Sequence, residues 1–107
     1  MNDQKNLISN AFQVFMNEAP KQAETWLEMV KGLDKASALD KKTEELAYLA
    51  VLAALKLESG IPFHVQSAKK AGASRAEVIS AVLVGLPPAG HSVIQVLPAV
   101  ISAYDNE

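Results

Sequence analysis

The chain has 107 residues, half of them apolar and 21% charged, with a formal net charge of −2. Such a chain makes one domain, residues 1–107, with apolar surface enough for its own core and too little charge bias for a disordered tail. It has no cysteine, which excludes a disulfide framework, a thiolate metal site and a cysteine nucleophile.

In chain order, Asp3 is placed to cap a first helix through Leu7, Ile8, Ala11, Phe12, Phe15 and Met16, whose spacing makes one apolar face. Pro20 suits the first turn of a second helix, with Ala23, Trp26, Leu27 and Val30 as its stripe and Gly32 as its end. Residues 34–37 read as a short polar connection. Asp40 caps a third helix over about 41–59, stopped by Gly60; its centre, LAYLAVLAAL, is apolar on every side and belongs in a core or an interface. Pro62 opens a fourth helix that Gly72 closes. Ser74-Arg75-Ala76-Glu77 is a capping box for a fifth helix to about residue 86. Pro87-Pro88-Ala89-Gly90 breaks it, and a sixth helix follows over about 91–104. The expected fold is all-α, with about six helices. Two helices apolar on most faces are much to hide in one small domain, so a subunit interface is expected.

The start, MNDQKNLISNAFQ, is polar and acid-containing where a signal peptide needs a basic end and an apolar run, so the cytoplasm is the expected compartment. Residues 78–104 carry no Asp, Glu, Lys or Arg, but Pro87, Pro88, Gly90, His91, Gln95 and Pro98 interrupt them. Two shorter buried helices fit better than a membrane span. Arg75 is the only arginine, and no basic stripe interleaved with aromatics points to nucleic acid.

Groups able to do chemistry are few. His64 lies just after Pro62, His91 just past the Pro-Pro break, Glu44 and Glu45 in the first turns of the third helix and Glu58 near its end. The histidines stand 27 residues apart with no HxxxH or HxH spacing, so no metal site is expected. No GxSxG elbow holds a serine, and the glycines are scattered singly, without a phosphate cradle. On these facts alone, His64 reads as a half-buried, hydrogen-bonded histidine. His91 reads as a helix-end residue, and Glu45 as an acid favourable to the helix dipole.

Residues 39–90, however, resemble the core of the carboxymuconolactone decarboxylase family, which includes the alkylhydroperoxidase D-like proteins. The matching pieces are the Lys-x-x-Glu-Leu helix start from Lys42 to Leu46, the apolar run to Leu55, His64 before a helix, and Gly72-Ala73-Ser74 with Glu77. The resemblance implies a helical bundle whose subunits associate as trimers or hexamers. Its redox-active members carry a site like Glu-x11-Cys-x2-Cys-x3-His. On that spacing Glu45 is the glutamate and His64 the histidine, while Leu57 and Gly60 stand where the cysteines would be. Ser59 is the nearest surviving hydroxyl.

The resemblance therefore implies no cysteine-based peroxidase, since neither leucine nor glycine forms or resolves a sulfenic acid. It implies instead acid–base chemistry on a small lactone or organic acid, as in the decarboxylase members, with His64 and Glu45 catalytic. His91 and Ser59 are candidate binding residues, and no cofactor is expected. A multiply anionic lactone would need cations, for which Arg75, Lys42, Lys56 and Lys69 are the candidates. The alternative is a non-catalytic member that binds a small ligand or serves as an oligomeric scaffold.

Overall fold

Caps and prolines set where the chain turns helical. The computed structural model describes residues 9–106. The expected cap Asp3 lies outside them; Ser9 caps α1 (Asn10–Glu18) by accepting from the Phe12 N–H at 3.1 Å. Asp40 caps α3 (Lys41–Ala54) in the same way through Thr43, at 2.8 Å. The capping box forms at the start of α5 (Arg75–Leu83): Ser74 Oγ accepts from the Glu77 N–H at 3.0 Å, and Glu77 accepts from the Ser74 N–H at 2.9 Å. All five prolines lie in the first turn of a helix: Pro20 in α2 (Pro20–Ala36), Pro62 in α4 (Ile61–Lys70), Pro87 and Pro88 in α6 (Leu86–Ala89), Pro98 in α7 (Leu97–Asp105). The reason is physical: proline's fixed φ suits a helix start, and its missing N–H would have had no partner there.

Among the described residues the protein is all-α, with six helices of nine residues or more, the short α6, and 3₁₀ turns at Glu58–Gly60 and His91–Val96. Four boundaries differ from the sequence reading. Helix α2 runs through Gly32 to Ala36, because an isolated glycine weakens a helix by only ~1 kcal/mol and does not stop it. Helix α3 ends at Ala54, where the chain turns through Lys56 into the first 3₁₀ turn. The Pro-Pro pair does not break α5, which has already ended at Leu83; it starts α6. The last apolar stretch is divided, a 3₁₀ turn at His91–Val96 giving way to α7 one residue before Pro98. No helix among the described residues is long and apolar enough to cross a membrane.

The core is aliphatic. Leu49, Leu52 and Ala53 of α3 meet Ile61, Val65 and Ala68 of α4, Val78 and Val82 of α5, Val93 and Val96 of the 3₁₀ turn, and Val100 of α7. Each buried Val, Leu or Ile contributes roughly 1.5–3 kcal/mol. Helix α3 packs against both α4 and α5, and α7 closes the far side of the same two helices. That closure is fastened by polar groups: Gln66 Nε2 donates to the carbonyls of Ala103 and Asn106 at 2.6 and 3.1 Å, and the Tyr104 hydroxyl donates to that of Ala73 at 3.0 Å.

Helices α1 and α2 stand apart from this body. They pack mainly on each other, through Phe12, Phe15 and Trp26, whose ring centroids lie 5.2–6.5 Å apart. No residue of α1 is buried, and Ala23 is the only buried residue of α2.

Candidate acid–base site

The inner face of α3 carries one acid among its leucines. Glu45 precedes Leu49 by one turn and is 6% exposed, the only buried charged side chain among the described residues. A buried carboxylate needs partners, and each of its oxygens has one. Glu45 Oε1 lies 3.0 Å from Nδ1 of His64, in the second turn of α4, and Oε2 lies 3.0 Å from Nζ of Lys41. Burial pushes this carboxyl up; the hydrogen bonds from His64 and Lys41 outweigh it and leave the group below its ordinary value. The same bond raises Lys41.

The His64 ring is held on further sides. Tyr48 stacks on it, centroids 3.9 Å apart and planes 16° from parallel, and the Phe63 ring stands at 71° to it, 5.2 Å away. The imidazole side chain is 19% exposed, and Nε2 has no hydrogen-bond partner among the described residues. With Glu45 ionised, Nδ1 carries a proton and donates it to Oε1. In the neutral ring, Nε2 then holds the lone pair. On α3, Glu44, Ala47, Tyr48 and Val51 line a shallow hollow of about 280 Å³, of which His64 is not a lining residue. The neighbouring carboxyl of Asp34, near the end of α2, raises the Glu44 carboxyl above its ordinary value.

The other nominated residues lie elsewhere. His91 is exposed at the start of its 3₁₀ turn, and Ser59 is exposed in the first; neither bonds to Glu45 or His64. Leu57 is 48% exposed, and a Cβ on Gly60 would meet Leu52 at 3.4 Å. Of the cations nominated to receive an anionic lactone, Lys42 pairs with Glu77 at 3.1 Å, Arg75 with Asp105 at 2.9 Å, and Lys69 donates to the Tyr104 carbonyl at 2.7 Å. Among the described residues no three His, Asp or Glu side chains are grouped so as to hold a metal ion.

Two partners of the pair were not read from the sequence. Lys41 stands four residues before Glu45, a spacing that puts both on one helix face and was there to be used. Tyr48 stands three after it, but nothing in α3 tells that its ring will meet a side chain of α4.

No match to the chain was found among curated proteins or among solved structures. The family comparison does give one: residues 20–101 match the model of the carboxymuconolactone decarboxylase family, over both the α2 helix and the whole of the segment that brings Glu45 to His64. The chain belongs to the carboxymuconolactone decarboxylase family.

Proposed function

We propose that this protein acts on a small lactone or organic acid by proton transfer at Nε2 of His64, with Glu45 holding the ring in the required tautomer. The observation that carries this reading is the 3.0 Å bond from Nδ1 to a buried carboxylate, on a partly exposed ring whose Nε2 bonds to none of the described residues. In a decarboxylation, Nε2 of the neutral ring first takes up a proton from solvent; the bond to the carboxyl carbon then breaks, carbon dioxide leaves, and the bond's electron pair passes into the lactone carbonyl. The imidazolium then delivers its Nε2 proton to the carbon that becomes basic, and Glu45 steadies the charged ring until it does. Thiol peroxidase chemistry has no group to start it, since the chain has no cysteine to attack peroxide.

A second reading, a ligand-binding or scaffold member without turnover, is favoured by the engagement of Lys42, Lys69 and Arg75 within the fold. Under either reading copies of the chain associate, as trimers or hexamers on the family resemblance, through the apolar residues that α2 and α3 expose.

The two readings separate in one experiment. A panel of small lactones and carboxylic acids is incubated with wild type and His64→Gln, with products and the imidazole protons followed by NMR. Turnover that falls at least a hundredfold in His64→Gln, with helix content unchanged, supports the acid–base site. Saturable shifts without turnover support the binding reading. Turnover equal in both proteins overturns the role of His64.

A further inference from the structure

Glu45 and Tyr48 leave the same side of α3, one turn apart, and both reach His64. They constrain different things. The Glu45 bond lies in the ring plane and selects which edge of the imidazole faces α3. It does little to stop the ring from rocking, because the outer torsion of a histidine side chain is broad and soft. The Tyr48 ring lies nearly parallel over the imidazole, at 3.9 Å and 16°, and fixes the plane that the hydrogen bond leaves loose.

Among the described residues, this is also the only ring contact or hydrogen bond that the Tyr48 side chain makes. Tyr48 is 40% exposed, lies outside the aliphatic core, and its hydroxyl has no partner among the described residues. A tyrosine placed there for core packing would be covered, and one placed there for its hydroxyl would be bonded.

We propose that Tyr48 is a positioning residue for His64. Its ring holds the imidazole plane so that Glu45 keeps the proton on Nδ1 and the lone pair stays on Nε2. The proposal rests on the acid–base reading of His64, and it explains why a single hydrogen bond suffices there. A free neutral imidazole prefers its proton on the other nitrogen, so a ring released from its plane drifts towards the tautomer that cannot act as a base at Nε2.

The test reads the tautomer directly. Long-range ¹H–¹⁵N correlation spectra of the full-length protein, with the imidazole neutral, are compared for wild type, Tyr48→Phe and Tyr48→Leu. Wild type and Tyr48→Phe are expected to hold the proton on Nδ1. Tyr48→Leu is expected to shift the ratio of tautomers about two- to tenfold towards Nε2–H, the range a stacked aromatic pair supports. Once a substrate is in hand, kcat should fall in proportion to the lost fraction of the Nδ1–H form, with KM unmoved. If leucine disturbs the fold, Tyr48→Met repeats the measurement with a flexible side chain of similar bulk.

An unshifted ratio in Tyr48→Leu, or a ratio lost in Tyr48→Phe, overturns the proposal. Turnover abolished in His64→Gln with the tautomer ratio intact in Tyr48→Leu removes Tyr48 and leaves the acid–base site standing. A shifted ratio in a protein that turns nothing over supports the positioning of the ring and removes the chemistry.

Discussion

Glu45 commits both carboxylate oxygens inside the molecule, one to the imidazole of His64 and one to the ammonium of Lys41. Its acidity is therefore tied to folding. The folded-state carboxyl sits below its ordinary value of 4.5, so its contribution to stability is complete above that value and is lost as pH falls through it towards the folded-state value. Unfolding monitored by circular dichroism at stepped pH should show wild type losing stability below about 4.5 more steeply than Glu45→Gln. At neutral pH the same variant should be less stable than wild type by about 1–3 kcal/mol, because the partners of a buried charged acceptor are left poorly matched. A Glu45→Gln protein whose acid limb superimposes on that of wild type would show that the bond to His64 does not survive in solution. This pair was legible from one source alone. Helical periodicity relates neighbours within a helix, whereas Glu45 and His64 are 19 residues apart on two helices, and only the family spacing joined them. Exposed groups such as His91 and Ser59 carry no such signal, since nothing in their neighbours tells which way a loop presents them.

At the scale of the element, most helix starts were legible, whereas among the ends only that of α4, closed by Gly72, was. A start is written in side chains that bond or constrain the local backbone, as at Asp40, Pro62, Ser74 and Glu77. An end of the kind found after α3 and α4 depends on whether a residue just past the helix accepts a left-handed backbone, which glycine invites but does not require. Gly32 declines it and stays helical. Helices α3 and α4 end in the same motif, one on lysine and one on glycine. After α4, Gly72 has φ of +100°, with Ala73 N–H donating to the Ala68 carbonyl at 2.9 Å and Gly72 N–H to that of Lys69 at 3.0 Å. After α3, Lys56 has φ of +59°, with Leu57 N–H donating to the Leu52 carbonyl at 2.9 Å and Lys56 N–H to that of Ala53 at 3.1 Å. A lysine in this conformation costs about 1–2 kcal/mol that glycine avoids, partly offset by glycine's greater freedom when unfolded. Lys56→Gly is therefore expected to stabilise the protein by roughly 0.5–1 kcal/mol, read as a higher denaturation midpoint in urea at unchanged slope. A lower midpoint would mean that the Lys56 side chain holds something in the turn that leads to Glu58–Gly60.

At the scale of the whole molecule, the described residues include large apolar side chains that stand exposed. Helix α3 turns Leu49, Leu52 and Ala53 inward and leaves Val51 outward, 56% exposed, with its C-cap Leu55 60% exposed and Tyr48 40%. Helix α2 does the same with Met29 and Leu33, 49% and 63% exposed. Short helices draw most of their stability from burying a face, yet α1 buries no residue and α2 only Ala23. A second copy is the partner that every molecule of this chain has available, so the two uncovered faces are expected to meet between copies. Light scattering of the purified protein should give a multiple of the 11.4 kDa chain mass. Val51→Glu or Leu33→Glu, each placing a charge in that contact, should return it towards a single chain. If α1 and α2 depend on the partner, the separated chain should also lose helical signal at 222 nm, while the α3–α7 body keeps the stability of its aliphatic core. A wild-type protein that scatters as a single chain at micromolar concentration, with α1 and α2 still fully helical, would mean that these helices hold their fold without a buried face and that the apolar surface awaits a different partner.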